Sequence, residues 1–101
     1  MTPSEAVIET QLRLWVQSIN GKCIKLPALL YRGIPDRMVL LPNGQVWFIE
    51  LKREKAKTTK QVAVGQTAWF EFLRNYGFNY IRISGKQQLK EFIDARSKDP
   101  V

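Results

Sequence analysis

Residues 36–52, DRMVLLPNGQVWFIELK, combine a strong secondary-structure signal with acidic residues near both ends of the segment. Asn43-Gly44 lies between two apolar runs, and this dipeptide is the strongest short-range signal of a β-hairpin. The pattern predicts a strand over residues 36–41, a turn over 42–45 and a second strand over 46–52. In an antiparallel pair closed at this turn, Asp36 and Glu50 come close in space, although 50 − 36 = 14 positions separate them.

Helices and short strands are predicted on both sides of this hairpin. A capping box at Thr2-Pro3-Ser4-Glu5 begins a first helix, and Asn20-Gly21 ends it. The remaining predicted segments are a strand over residues 22–26, a loop over 27–35, a basic linker over 53–60, a helix over 59–76 that Gly77 ends, a strand over 78–83 and a last helix over 86–95. The order α-β-β-β-α-β-α predicts an α/β fold with a small mixed β-sheet flanked by helices. The second helix would form a right-handed crossover between two parallel strands.

Apolar residues at helical spacing give the predicted core faces of the three helices. They are Val7, Ile8, Leu12, Trp15, Val16 and Ile19 in the first helix, Val62, Trp69, Phe70, Leu73 and Tyr76 in the second, and Leu89, Phe92 and Ile93 in the last. The three tryptophans of the chain, Trp15, Trp47 and Trp69, match core periodicities. We therefore interpret them as packing residues rather than base-stacking residues.

Composition limits the classes of function that the chain can have. A length of 101 residues with 45% hydrophobic content supports one compact domain over residues 1–101. Lys and Arg total 16 against 9 Asp and Glu, and this net charge of +7 favours a polyanionic partner, although a generic basic protein would show the same excess. Cys23, expected in a buried strand, is the sole cysteine and histidine is absent, which excludes an intramolecular disulfide, a Cys/His zinc site and imidazole catalysis. Neither a membrane span nor a signal-peptide pattern is visible, so we expect an intracellular, cytoplasmic protein.

The acidic residues of the hairpin suit metal-dependent cleavage of phosphodiesters. Asp36 and Glu50 can share a hard divalent cation such as Mg²⁺ or Mn²⁺, with the backbone carbonyl of Leu51 as a further ligand. Lys52 follows Glu50 by two residues, so both side chains lie on one strand face, where the ammonium can position water or stabilise phosphate charge. The alternatives are that Asp36 caps a turn and that Glu50 and Lys52 form a surface ion pair.

Two helical residues and a set of basic residues are further candidates. Glu9 of the first helix could supply a third carboxylate, in preference to Glu5, which already serves the capping box. Gln66 could hydrogen-bond a water or a phosphate, although both side chains could equally be solvated helical residues. Basic residues near the site in sequence could bind the nucleic-acid backbone or simply be solvated; they are Lys22, Lys25, Arg32, Arg37, Arg53, Lys55, Lys57 and Lys60.

Taken in order, these residues resemble the virus-type replication-repair nuclease (VRR-NUC) domain of the restriction-endonuclease-like PD-(D/E)XK superfamily. The similarity covers almost the whole chain and includes Ile8-Glu9, Lys25-Leu26, Gly33-Ile34-Pro35-Asp36-Arg37, Gly44, Phe48-Ile49-Glu50-Leu51-Lys52 and Gln66. The resemblance implies that Asp36 and Glu50 bind Mg²⁺ or Mn²⁺, that Lys52 is catalytic, and that Glu9 and Gln66 are the helical acid and glutamine of the motif. Small stand-alone members of the family are often phage-encoded and act as homodimers on branched DNA such as Holliday junctions, while larger relatives act in DNA repair.

The sequence therefore predicts a metal-dependent, structure-selective DNA endonuclease. No base-reading motif is visible, so we expect recognition of DNA shape and backbone. One rival is a non-catalytic basic nucleic-acid-binding module in which the acids form ion pairs with Arg37 and Lys52. A second rival, a protein-interaction or toxin-like factor, leaves the grouping of two acids and a lysine unexplained.

Overall fold

In the part of the chain that the structure describes, three helices and four strands follow one another in the predicted order. The computed structural model of the chain describes residues 5–27, 29, 31–52 and 60–97. The elements are α1 (Glu5–Ser18), β1 (Lys22–Lys25), β2 (Arg37–Leu40), β3 (Val46–Lys52), α2 (Lys60–Asn75), β4 (Asn79–Ser84) and α3 (Gly85–Ser97). The predicted α/β class and element order are confirmed, while the capping-box residues Thr2, Pro3 and Ser4 lie outside the described ranges.

The four strands form one mixed sheet in the order β1-β2-β3-β4. The strands β1, β2 and β3 pair antiparallel, and β3 and β4 pair in parallel through the α2 crossover. The predicted hairpin is confirmed, because Gly44 has a φ of 86° and the Leu41 amide donates to the Gln45 carbonyl at 2.9 Å. A left-handed backbone conformation at this position is the usual place for glycine in a hairpin loop.

The hydrophobic core lies between one face of the sheet and the helices α1 and α3. Side chains alternate between the two faces of a strand, and the odd-numbered residues of β2, β3 and β4 face this core. The fully or almost fully buried members include Ile8, Leu12, Val16, Val39, Ile49, Leu51, Ile83, Leu89 and Phe92. Trp15 and Trp47 pack edge to face against Phe92, at ring-centroid distances of 5.9 and 5.3 Å, as the packing interpretation expects. Cys23 lies on β1 and is half-buried beside this cluster.

The helix α2 packs on the opposite face of the sheet, and the core face predicted for this helix was partly wrong. Leu73 is buried, but Phe70 and Tyr76 have exposed fractions of 39% and 72%. The helix contacts the sheet along β4, an edge strand, so only a narrow line of its side chains is covered. The side chain of Val62 lies outside the described part of α2.

The predicted stripe of α1 also extended too far at both ends. Val7 and Ile19 are 41% and 36% exposed, whereas the central residues of the helix are buried. The helix ends where the sequence predicted, because Asn20 adopts a left-handed conformation with a φ of 65°. Within the described ranges, no helix is both long and apolar enough to cross a membrane.

Candidate active site

Asp36 lies where the β2–β3 ladder ends, and the backbone of two strands fixes its position. Its Oδ2 accepts a hydrogen bond from the Leu51 amide at 2.8 Å. Its carbonyl accepts one from the Leu26 amide at 2.9 Å, next to the end of β1. The hairpin register, in which Arg37 pairs with Ile49, places position 36 opposite position 50. The structure therefore brings the two predicted acidic residues together.

Glu50 is a buried carboxylate, with only 3% of the residue exposed. Its Oε1 accepts a hydrogen bond from Gln66 Nε2 at 3.1 Å and lies 4.0 Å from Lys52 Nζ. Its Oε2 is also buried, and no donor among the described residues bonds to it. A buried carboxylate oxygen without a partner is costly, so this atom needs a proton or a cation.

The electrostatics around Glu50 show the same requirement. The pKa of the Glu50 carboxyl is raised to about 8, first by burial and then by the neighbouring Asp36, through charge repulsion and a hydrogen bond that the protonated Glu50 carboxyl makes with it. The positive charges of Lys52 and Arg82 oppose this shift of the pKa but do not cancel it. Two carboxylates this close cannot both be ionised at low cost unless a cation lies between them.

The residues present fit a hard divalent cation. Asp36 and Glu50 supply carboxylate oxygens, the ligand type preferred by Mg²⁺ and Mn²⁺, and Glu50 Oε2 is the buried acceptor without a partner. Among the described residues, no group of three or more acidic, histidine or cysteine side chains is arranged to hold a metal. A cation here would therefore take its remaining ligands from water and from backbone oxygen such as the Leu51 carbonyl, as is common for Mg²⁺.

Lys52 and Gln66 lie beside the acid pair, as the sequence predicted. Residues 50 and 52 share one face of β3, and the Lys52 side chain keeps 17% of its area exposed. Gln66 projects from α2 onto the same face and is buried, with 7% exposed. The lysine can therefore reach solvent and the acid pair, while the glutamine is fixed against Glu50.

Arg82 is a residue of this site that the sequence analysis missed. Its Nη2 donates to Gln66 Oε1 at 3.3 Å. Because a guanidinium can only donate, the Gln66 oxygen must face Arg82, and the Gln66 amide nitrogen then faces Glu50. Arg82 thus fixes the orientation of Gln66. The sequence feature that could have identified Arg82 is the predicted parallel crossover, because Glu50 of β3 is the register partner of Arg82 of β4.

The structure does not bring Glu9 together with the acid pair. Glu9 Oε1 lies 3.7 Å from both Arg37 Nε and Arg13 Nε. Arg37 belongs to the face of β2 that also carries Val39 and packs on α1, whereas Glu50 points to the α2 face. Strand alternation therefore directs Arg37, the partner of Glu9, away from the face that carries the Glu50 side chain.

The predicted basic surface is only partly present near the site. Arg37 is not an open phosphate ligand: its side chain is 13% exposed, pairs with Glu9 and donates to the Asp36 carbonyl at 3.0 Å. Lys25 and Arg32 are exposed. Lys22 is also exposed but pairs with Leu40 near the hairpin turn, about 10 Å along the strand from Lys25. Arg53, Lys55, Lys57 and the side chain of Lys60 lie outside the described residues.

Two glycines dock the loop that precedes Asp36 onto α2. Gly33 has a φ of +82°, and a Cβ at this position would overlap the backbone of Gly65 and Gln66. A Cβ on Gly65 would lie 3.1 Å from the Arg32 carbonyl oxygen. The loop and the helix therefore touch through backbone atoms next to Gln66. This contact links the Gly33-Ile34-Pro35-Asp36 motif to the glutamine of the site.

Comparisons with known proteins show similarity at both the sequence and the fold level. No protein-family profile matches the chain. "Putative nuclease p44" of Acyrthosiphon pisum secondary endosymbiont phage 1 is 42% identical over 55 residues, which are 54% of this chain and 59% of that protein, so less than two-thirds of the relative is spanned. A solved structure described as a VRR_NUC domain superposes with a TM-score of 0.77 at 22% identity, covering 91% of this chain and 97% of the other. The chain therefore has the VRR_NUC domain fold that its motif residues predicted.

Proposed function

We propose that this protein is a metal-dependent, structure-selective DNA endonuclease that hydrolyses phosphodiester bonds. The observation that carries the proposal is the Asp36–Glu50 pair, in which a buried carboxylate oxygen has no partner among the described residues and Lys52 lies alongside. The VRR_NUC fold and the nuclease name of the phage relative support the same class of activity. The net charge of +7 suits a polyanionic substrate.

In this proposal Asp36, Glu50 and the Leu51 carbonyl hold Mg²⁺ or Mn²⁺. The bound cation would supply Lewis-acid chemistry and neutralise phosphate charge beside two carboxylates. Lys52 Nζ holds a water near the phosphate, helps to remove its proton or balances the negative charge that develops on the phosphoryl oxygens. The water oxygen bonds to phosphorus, the bond from phosphorus to the 3′ oxygen breaks, and that oxygen leaves with a proton.

The surrounding residues have supporting roles in this mechanism. Gln66 keeps Glu50 Oε1 occupied by a hydrogen bond, which leaves Oε2 for the cation, and Arg82 keeps Gln66 in that orientation. Glu9 acts on the other face of the sheet, where it holds Arg37 against the Asp36 carbonyl. We therefore assign Glu9 a positioning role rather than the role of a metal ligand.

The substrate and assembly remain part of the proposal. We propose that the substrate is branched DNA such as a Holliday junction, and that residues 1–101 form a single nuclease domain. We also propose that the protein acts inside a cell, including a phage-infected host, as a homodimer that cuts two strands of a symmetric substrate. Exposed apolar side chains offer a surface for the second copy, since Leu29, Tyr31 and Phe72 are 100%, 60% and 49% exposed. Arg32 is exposed in the loop that docks on α2 beside Gln66 and would contact the DNA backbone, with Lys25, exposed at the end of β1, and the remaining predicted basic residues extending that surface.

The test is a cleavage assay on labelled four-way junction, flap, linear duplex and single-stranded DNA, with Mg²⁺, Mn²⁺ or EDTA. The wild type should cut branched DNA only with metal, and Lys52→Ala from the same purification should not, which excludes a contaminating nuclease. Binding of DNA without cleavage of any substrate would support the non-catalytic module instead. Absent or salt-insensitive DNA binding would favour the protein-interaction factor.

A further inference from the structure

A cleft beside the acid pair has no role in the mechanism described so far. It lies between α2 and β4, has a volume of about 480 Å³, and is lined mainly by Gln66, Phe70, Glu71, Arg74, Tyr80 and Arg82. Gln66 lines the cleft and hydrogen-bonds Glu50 at 3.1 Å. The cleft, called the α2–β4 cleft below, therefore adjoins the candidate metal site through Gln66.

We propose that the α2–β4 cleft binds one nucleotide of the DNA strand being cut, next to the phosphate that is hydrolysed. This inference rests on the proposed nuclease function and adds a binding subsite to it. Small-molecule sites in proteins commonly have volumes of about 300–1,000 Å³, so the cleft is large enough for a nucleotide. From Gln66 to Arg74 it follows nine residues of α2, and the eight steps between them span about 12 Å.

The aromatic residues of the cleft give it a surface for a base. The rings of Phe70 and Tyr80 meet edge to face with centroids 5.1 Å apart. Phe70 is 39% exposed, although it lies in the middle of a helix that packs on a sheet. Bases stack on exposed aromatic rings with little dependence on sequence, which agrees with the absence of a base-reading motif. The packing of α2 along an edge strand leaves the Phe70 ring exposed to the cleft, where a base could stack on it.

The charged residues of the cleft give the nucleotide a direction. Arg82 uses one N–H for Gln66 and, being exposed, has further N–H groups for a phosphate beside the acid pair. Arg74 lies over the Phe70 ring at 5.4 Å, so a cation borders the stacking surface. Glu71 would repel a phosphate but can accept hydrogen bonds from base N–H groups. The phosphate therefore lies towards Arg82 and the base towards Phe70 and Glu71.

The test measures binding without cleavage. Fluorescein-labelled hexathymidylate is titrated with protein in EDTA, and its anisotropy gives the Kd of the wild type, Phe70→Ala, Arg82→Gln and the control Lys90→Gln. Lys90 lies exposed on α3 and pairs with Asp94, so Lys90→Gln removes one positive charge away from the cleft, as Arg82→Gln removes one inside it. We expect Phe70→Ala and Arg82→Gln each to raise Kd about fivefold or more, which is the lower end of what the loss of a stacking or charged contact costs. The control Lys90→Gln should raise Kd by about twofold or less.

A second measurement locates the binding site on the wild type and does not depend on the folding of a variant. Backbone amide resonances of the ¹⁵N-labelled wild type are followed during titration with thymidine 3′,5′-bisphosphate, and the largest shifts should fall on residues 66–74 and 80–82. Shifts elsewhere, or cleft variants that bind like Lys90→Gln, overturn the subsite. If wild type cuts DNA in the metal assay while the cleft stays unaffected, only this inference fails. If the cleft binds DNA but no substrate is cut, the nuclease proposal fails, and with it the assignment of the cleft to the strand being cut; the cleft is then the DNA-binding site of a non-catalytic module.

Discussion

Replacing Glu50 by glutamine should make the metal-free protein more stable at alkaline pH. The pKa of Glu50 is about 8 in the folded protein, against an ordinary value of 4.5, because the carboxyl is buried beside Asp36. Below about pH 4.5 the carboxyl is protonated in both the folded and the unfolded state. Between these values only the folded state holds the proton, so the free energy of unfolding falls as pH rises, by up to about 1.4 kcal/mol per pH unit.

The size of the effect follows from the difference between the two pKa values. Between about pH 4.5 and pH 8 the folded protein loses on the order of 5 kcal/mol of the stability that the protonated Glu50 carboxyl contributes at acidic pH. This is comparable with the whole stability of a small domain. Glutamine has the shape of the protonated acid, does not titrate, and can accept the Gln66 hydrogen bond while donating to Asp36. Glu50→Gln should therefore lose little stability as pH rises.

The assay is urea unfolding in EDTA, followed by tryptophan fluorescence at about pH 5, 7 and 9. The difference in unfolding free energy between Glu50→Gln and wild type should grow in favour of the variant from the lowest to the highest pH. Glu91→Gln, an exposed change on α3, is the matched control and should show no such trend. Excess Mn²⁺ should raise the free energy of unfolding of the wild type at high pH, and should raise that of Glu50→Gln less. Parallel pH curves for wild type and Glu50→Gln would refute the reasoning.

Three other changes test different parts of the site. Lys52→Ala should lower the cleavage rate by about a hundredfold or more while DNA anisotropy changes little, because general acid–base or charge-stabilising groups contribute on this scale; retained cleavage would remove the lysine from the mechanism. Gly33→Ala should lower the free energy of unfolding in urea by about 2 kcal/mol or more, because its Cβ would overlap the Gly65 backbone. Gly44→Ala has a similar φ and open space around it, so it should lower that free energy by only about 1 kcal/mol. Equal losses would contradict the docking of the loop on α2. Arg82→Met should shift the pH–rate profile and raise the Mn²⁺ concentration needed for half-maximal activity, and Arg82→Lys should restore part of the effect; unchanged profiles would show that Gln66 does not need Arg82.

The hairpin explains why the acid pair could be predicted from sequence. Asn43-Gly44 fixes the turn, and the turn fixes the register that places position 36 opposite position 50. Lys52 then follows from the period of two along the strand. These are local rules, and they locate the acids and the lysine without knowledge of the rest of the fold.

Other parts of the site depend on relations that the sequence does not contain. Arg82 could be assigned only once the register of β3 and β4 was known, because the pairing joins residues 32 positions apart, 82 − 50 = 32. Arg37 was placed near the acids by sequence position, but the pleat of β2 turns its side chain to the opposite face. Glu9 was expected to reach the acids if the first helix packed across the sheet, but α1 packs on that opposite face, where Glu9 pairs with Arg37. Phe70 and Tyr76 have core periodicity, yet α2 covers an edge strand and leaves them exposed.

The proposed metal-dependent catalytic site requires both Asp36 and Glu50. Its test is the Mn²⁺-dependent rate of four-way junction cleavage by wild type and Asp36→Asn, with DNA binding measured on the same samples. Asp36→Asn should bind the junction as well as or better than wild type, because one repulsive charge is lost, and should cleave it about a hundredfold more slowly or not at all. Equal cleavage by the two proteins, or no metal-dependent cleavage by the wild type, would show that these residues do not form such a site.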